Sequence, residues 1–514
     1  MSDTLLSPIE FPELFIGLVA PIGADLNSVG AEIRRQLTSY GYSTHEIRVS
    51  DFFATLPIDT KLVDHPTAER YKSYMDAGNE VRRIFDAPDA LILPIVGRVR
   101  EIRRQITGHE REIATKTAFL INQLKRPEEI ETLRSIYGPL FLCLSVSCSK
   151  SRRLELLTER IARDDQKRRR EDSYEPIALS LIIRDEEEEE EKFYGQKVRD
   201  AFALADVVVD GENTDRAQKS LERPLKSFFG SNFITPTADE HFMNIARNVA
   251  SRSSDLSRQV GAVIVTADNE IISAGCNDVP KFGGGIYWEE DELDARDFKR
   301  GHDPNYIYKK DLIADILRRI NPWMSRKYQK TEINELLEKA LNSVDGPLFK
   351  NAHLMDLLEF GRVVHAEMNA LAEAAKRGVA TKDSTLYCTT FPCHICTRHI
   401  IAAGIRRVVY VEPYTKSQAQ KLYSESVDLG EDGHEVIGKI QFDSFSGIST
   451  TRFNDFFVRR RRKNSDGKAK EWIKDKPHPV VDVIAPFYIE TEILLIELLE
   501  RKVVGLAQNS PAAS

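Results

Sequence analysis

The sequence predicts an α/β protein with a parallel-sheet domain ahead of a second α/β domain, and three features carry that prediction. An apolar run at 14–20 passes through a short loop into a helical pattern at 27–37. Further apolar runs at 90–96, 140–146 and 207–210 read as strands with helical stretches between them, as in a parallel sheet wrapped by helices. After residue 236, an amphipathic helix leads into a hairpin. A chain of 514 residues suits about three domains, and 41% hydrophobic with 30% charged residues describes a soluble globular protein.

In chain order, the first strand ends in Pro21-Ile22-Gly23, and the helix after it places its N-terminus where a phosphate could bind. Set against G-x-x-x-x-G-K-[ST], Ala20 takes the first Gly and Asp25 the second. Leu26 and Asn27 then stand where Lys and Ser/Thr are required. An acid facing phosphate without a cation is poor chemistry for phosphoryl transfer. The expectation is a degenerate nucleotide-sensing or purely architectural domain over 1–235, with little hydrolysis.

Lys125-Arg126-Pro127-Glu128-Glu129 reads on its own as a solvated helix-start loop. Residues 159–175 are dense in charge and read as a lid or a solvated helix, while the acidic run from Asp185 to Glu191 is poor core.

The second domain, 236–445, opens with Phe242, Ile245, Ala246 and Val249 at helical spacing. Strands at 261–265 and 271–274 flank the turn Asp268-Asn269. An insertion over 281–360 holds Gly283-Gly284-Gly285, Tyr287-Trp288 and a helix at 333–341, and is expected to shape the pocket or a subunit contact. A strand at 407–411 follows. The tail, 446–514, carries the basic run Arg459 to Lys463 and a final amphipathic helix at 487–504.

The chemistry sits in His365-Ala366-Glu367 and Pro392-Cys393-His394-Ile395-Cys396. A structural zinc is closed by four protein ligands. His365, Cys393 and Cys396 supply three and leave a position for water, with Glu367 placed to take a proton. Pro392 suits a helix start, which puts Cys393 and Cys396 on one face of the first turn, their thiolates favoured by the helix dipole. A neutral imidazole with two thiolates balances the charge of Zn2+. This H-x-E…P-C-x-x-C spacing is the signature of zinc deaminases.

Bulk properties narrow the remaining classes. No segment is long and apolar enough to span a membrane, and the acidic N-terminal stretch (Asp3, Glu10, Glu13) indicates neither signal nor transit peptide, so a cytoplasmic protein is expected. Six cysteines make no disulfide framework in a chain this long, leaving Cys143, Cys148, Cys276 and Cys388 as reduced residues. A net charge of −8 argues against a protein that coats nucleic acid.

From Phe242 to Val411 the chain resembles the deoxycytidylate deaminase family. The resemblance rests on Ser251-Arg252-Ser253, the stretch from Arg258 to Val265, Gly275-Cys276-Asn277-Asp278-Val279-Pro280, His365-Ala366-Glu367 and Thr390-Phe391-Pro392-Cys393, in the family's order. Where the family has Gly-Tyr-Asn-Gly, Cys276 replaces the Tyr and Asp278 the second Gly, a departure that touches the pocket mouth. The resemblance implies a three-layer α/β/α deaminase domain with Zn2+ on His365, Cys393 and Cys396, and Glu367 as the catalytic acid/base. It also implies substrate binding by Asn277, at the sugar, by Arg258, and by Tyr414 and Lys416 on the phosphate side.

Over its whole length the chain is similar to the anti-phage dCTP deaminases, in which a P-loop-kinase-like domain precedes the deaminase. The segments concerned are Phe15 to Asp25, Leu124 to Glu129, Thr389 to Cys393 and Tyr410 to Ser417. That likeness implies hydrolysis of free dCTP and dCMP to deoxyuridine nucleotides, with Mg2+ accompanying a triphosphate. It further implies a homo-oligomer, with a regulatory ligand on the N-terminal domain. The alternative is a cytosine deaminase acting on single-stranded nucleic acid, which would need a basic, aromatic-lined channel.

Overall fold

The computed structural model describes residues 8–509 except 165–173, 192–193, 343–348, 350–351, 415–416, 430–435, 459–461, 470–471, 473–476 and 482. Strands β1 (Leu14–Val19), β2 (Ser43–Arg48), β3 (Thr117–Leu124), β4 (Phe141–Ser147) and β5 (Val207–Asp210) come first in the chain. They are followed by β6 (Gly261–Val265), β7 (Ile271–Cys276), β8 (Thr385–Thr390) and β9 (Arg407–Glu412), then by β10 (Val427–Asp428), β11 (Ile440–Ser444) and β12 (Gly447–Ile448). Two units result: Met1–Glu240 together with Phe445–Ser514, and His241–Ser444.

In the first unit the sheet order is β12-β5-β4-β1-β3-β2, with β2 to β5 and β1 all parallel and β12 antiparallel on the edge. Every residue of β1 is buried, as a central parallel strand covered on both faces requires. The loop after β1 leads into the helix Leu26–Ser39, which Asp25 caps by accepting the Ser28 N–H.

Several expectations for this unit need correction. The stretch at 90–96 is no strand but the start of the helix Ile92–Thr107. Ile92, Ile95, Val96, Val99 and Ile102 are buried there at helical spacing, a period that a seven-residue apolar window conceals. The edge strand β2 and the strand β3 went unpredicted; β2 is largely polar and gives almost no apolar signal.

Asp185 was expected to be poor core, yet it is fully buried, because it accepts the Ile22 N–H at 2.7 Å and pairs with Lys125 Nζ at 2.8 Å. Arg126 and Glu129 are buried as well, so the expected loop is not solvated. Glu129 accepts the Lys125 N–H at the start of the helix Pro127–Tyr137.

The tail does not stand apart. β12 pairs with β5, and Ile448, Phe456 and Tyr488 join the core of the first unit. The helix Tyr488–Asn509 is anchored through Glu492, whose carboxylate receives Arg103 at 2.5 and 2.9 Å; Arg103 also reaches Glu13, and all three are fully buried. Of the basic run, 459–461 lie outside the described residues.

The second unit has sheet order β10-β11-β9-β8-β6-β7, antiparallel from β8 to β7 and parallel from β8 to β10. Gly261 on β6 and Gly275 on β7 let two helices approach the sheet closely. A Cβ on Gly261 would lie 2.0 Å from the Ala246 carbonyl oxygen, and one on Gly275 would lie 2.5 Å from the Ala370 nitrogen. Gly275 pairs with Ala262, the neighbour of Gly261, and successive strand residues point to opposite faces. The helices Ala238–Ala250 and Ala366–Arg377 therefore cover opposite sides, giving three layers.

Within the insertion, the helices Pro304–Ile320 and Ile333–Asn342 pack through Ile313, Leu317, Leu336 and Leu337. Only the second was expected. The cap Asp303 and the following Pro304 were the readable sign of the first.

Candidate metal centre and active site

β7 and the stretch leading to the helix Ala366–Arg377 are tied together just before the key histidine: the Val364 N–H donates to the Asp278 carbonyl at 2.9 Å, and the Asp278 N–H to Val364 at 3.2 Å. His365 is the residue that precedes the helix, and Glu367 stands in its first turn. From the other side, β8 runs into Phe391 and Pro392. The Phe391 N–H donates to the Glu412 carbonyl at 2.7 Å, and the Ser417 hydroxyl donates to the Pro392 carbonyl at 2.8 Å. Cys393 then caps the helix His394–Ala402, its Sγ accepting the Cys396 N–H at 3.4 Å. The helix thus starts after Cys393 rather than at Pro392, and Cys393 and Cys396 still share its first turn.

His365 Nδ1 lies 3.4 Å from Cys393 Sγ and 3.3 Å from Cys396 Sγ, and the three ligand atoms fall within 4.8 Å of one another. Cys393, Cys396 and Glu367 are buried and His365 is half-buried. The Cys393 thiol is drawn down to about 4, first by the hydrogen bond from Cys396, and His365 is held up at about 9, first by its hydrogen bond to Cys393. Burial pushes the Glu367 carboxyl up, and the Cys393 charge adds to it. An imidazole and two thiolates converging at this separation fit one zinc ion, with no fourth protein ligand among the described residues.

The expected substrate residues are placed as follows. Asn277, buried, accepts the Val260 N–H at 2.7 Å and donates to the Arg258 carbonyl at 2.9 Å, so its amide holds the 258–260 backbone. The Arg258 guanidinium lies 5.8 Å from the centre of the Tyr414 ring. Lys416, with Thr415, lies outside the described residues.

Three further residues shape the centre. Asp278 is buried and accepts the backbone and hydroxyl of Ser254 at 3.2 and 3.0 Å, so the residue that replaces the family's Gly is a loop anchor. Asn369 donates to the Cys276 carbonyl at 2.9 Å, fastening the Glu367 helix to β7. Burial, and then the Glu367 carboxylate, hold the Cys388 thiol well above its usual range. Asn369, two residues after Glu367, was the one of these with a legible position, since a polar residue there must find a partner under the helix.

Residues 236–412 match the protein-family model described as the cytidine and deoxycytidylate deaminase zinc-binding region. This segment is therefore similar to cytidine and deoxycytidylate deaminases in the region that binds zinc in them. The ComE operon protein 2 of Bacillus subtilis (strain 168) is 44% identical over 66 residues, 13% of this chain and 35% of that protein. The deoxycytidylate deaminase of Saccharomyces cerevisiae is 25% identical over 289 residues, 54% of this chain and 69% of that one. The deoxycytidylate deaminase of Mus musculus is 27% identical over 172 residues, 34% of this chain and 63% of its own. The chain thus spans about a third to two thirds of the length of these relatives. Among the described residues no helix is long and apolar enough to cross a membrane.

Proposed function

We propose that the chain hydrolyses the 4-amino group of free deoxycytidine nucleotides, dCTP and dCMP, to the deoxyuridine forms. The observation that carries this reading is the convergence of His365, Cys393 and Cys396 beside the buried Glu367 within the family's zinc-binding region. When bound, Zn2+ would polarise a water molecule into a nucleophile at neutral pH. Glu367 takes that water's proton and delivers it to N3 of the base. The oxygen adds at C4 as N3 is protonated. Glu367 then takes the second proton from the added hydroxyl and passes it to N4, so that the C4–N4 bond breaks, the C4 carbonyl forms and ammonia leaves. Burial raises the pKa of this carboxyl, the direction that helps it hold and release a proton.

In this reading Asn277 Oδ1 keeps one lone pair beyond the Val260 bond and receives the sugar hydroxyl. Arg258 and Tyr414 close the pocket, Lys416 meets the phosphates, and Mg2+ accompanies the triphosphate. Depletion of dCTP would serve anti-phage defence in the cytoplasm. The first unit is taken as P-loop-kinase-like and as the place where a regulator binds or a homo-oligomer is fixed. Purified protein incubated with dCTP, dCMP, deoxycytidine and single-stranded DNA, with products separated by chromatography, tests the proposal. Deoxyuridine nucleotides are expected from the free nucleotides, whereas uracil appearing only in the DNA would refute it.

A further inference from the structure

We infer that a cavity of about 320 Å3 in the first unit binds an organic phosphate, with the phosphate held at Arg82 and not on the loop that follows β1. The cavity lies where the carboxyl ends of β1, β2 and β3 meet, between the loop at 21–27, Arg48 to Ser50, and Asn122 to Lys125. In an open parallel sheet this is the crevice in which ligands bind. Arg48, Arg70, Arg82, Lys125 and Arg160 line it with one lining carboxylate, Asp25, near Arg160. Glu46, Glu129 and Asp185 pair with Arg48, Arg82 and Lys125 from outside the lining, and Arg70 has no carboxylate partner among the described residues. The balance favours an anion.

Which donors are already spent decides where that anion sits. The Ile22 N–H goes to Asp185 at 2.7 Å, Ala24 to Pro21 at 3.4 Å, Leu26 to Ala24 at 3.2 Å and Ser28 to Asp25 at 3.3 Å. Lys125 is held by Asp185 at 2.8 Å and by the Ala20 carbonyl at 3.3 Å. Asp185 and Asp25 thus take the N–H groups of Ile22 and Ser28, and an anion placed on this loop would meet both carboxylates.

Arg82 is different. It is 2% exposed and uses only Nη2, toward Glu129 at 2.8 Å, while Nε and Nη1 have no partner among the described residues. Glu129 divides its charge further, accepting the Lys125 and Arg126 N–H groups with its other oxygen at 2.7 and 3.2 Å. Gly78, one turn before Arg82, lines the same cavity, and a Cβ there would lie 3.6 Å from Nη1. Buried donors without acceptors are costly, and a phosphate oxygen satisfies them.

The rest of the wall describes the body of the ligand. Gln196, 6% exposed, and Gln123 each leave Oε1 without a partner among the described residues, two acceptors for hydroxyl or amino donors. Phe53, Tyr71 and Tyr74 give flat apolar surface, and the Arg70 guanidinium lies 4.5 Å from the centre of the Tyr74 ring with no carboxylate of its own among the described residues. A phosphate ester carrying hydrogen-bond donors and a planar ring, that is, a nucleoside monophosphate, matches this set.

The inference rests on the reading that the first unit takes a ligand, and it fails separately from the deamination reading because its readout is binding alone. Isothermal titration of the full chain with GMP and AMP, with inorganic phosphate as comparison, tests it. One of the two nucleotides is expected to bind with micromolar affinity. Arg82→Gln and Arg70→Ala should each weaken it at least tenfold with circular dichroism unchanged, and Glu367→Ala should leave it as it is. Should Arg82→Gln fail to fold, Arg70→Ala, which removes no ion pair, gives the answer. Absence of heat at millimolar nucleotide, binding unaltered by Arg70→Ala, equal affinity for inorganic phosphate, or loss in Glu367→Ala would each overturn it.

Discussion

Gly275 of β7 faces the helix Ala366–Arg377 so closely that a Cβ would come 2.5 Å from the Ala370 nitrogen and 2.6 Å from the Ala366 carbonyl oxygen. His365 and Glu367 stand at the start of that helix, so this contact sets how far both lie from the sheet. Gly275→Ala is expected to displace the first turn, cost about 1–3 kcal/mol of stability by overpacking, and lower turnover at least tenfold. Thermal melting together with kcat/KM on dCMP checks this; an unchanged pair of values would mean that the helix has room to move.

Glu367 is the group that moves protons in the proposed reaction. Glu367→Ala should reduce kcat by at least ~10²-fold, the scale of general acid/base catalysis, while zinc content and melting temperature hold. Near-normal turnover in this variant would sink the mechanism.

The proposed function assigns zinc to the side chains of His365, Cys393 and Cys396, which converge in the fold. Cys393→Ala should therefore lose the metal, as measured by elemental analysis. Prolonged dialysis of the unaltered protein against a chelator should abolish activity and lower the melting temperature, because binding energy that the folded site alone collects is stability lost on removal. Activity that persists without metal would contradict the assignment.

Arg103 lies between Glu13 and Glu492, all three fully buried, and the Tyr488 hydroxyl donates to Glu13 at 2.9 Å. Arg103→Met leaves two carboxylates without their cation, and breaking a buried pair in this way costs roughly 3–5 kcal/mol. Denaturant melts of the first unit are expected to report that loss. The variant with Glu13→Gln and Glu492→Gln added should recover part of it, and failure to recover any would mean that Arg103 acts through packing alone.

Lys416→Ala is expected to weaken dCTP binding by about 1.5–3 kcal/mol, the worth of a hydrogen bond to a charged group, and to leave deoxycytidine nearly unaffected. Comparing KM and inhibition constants for nucleotide and nucleoside decides it; equal losses would take Lys416 away from the phosphates.

How much could be read beforehand depended on how local the signal was. The cluster of His365, Cys393 and Cys396 was legible because metal chemistry fixes residue types at fixed spacing, and β5 and β6 were legible as short β-branched runs. The helix at Ile92 was misread because its apolar residues crowd one short window, and its period emerges only through Val99 and Ile102. The burial of Asp185 could not be foreseen within its acidic run, since its partners Ile22 and Lys125 are distant in sequence. The role of Asn277 toward Val260 and Arg258 was hidden for a related reason, in that the loop it holds and the strand it follows meet only in the folded sheet.

The pairing of β12 with β5, and of Glu492 with Arg103, bears on how this chain is made. The first unit receives its edge strand and its last helix from residues after 444, so a ribosome must first deliver the whole of His241–Ser444. At ~5–20 residues per second that is a wait on the order of 10–40 s. Throughout it β5 offers an unpaired edge and Arg103 and Glu13 lack Glu492. The nascent protein is then most exposed to mispairing in its oldest part, and a stop codon late in the message would damage the half of the molecule that was synthesised first.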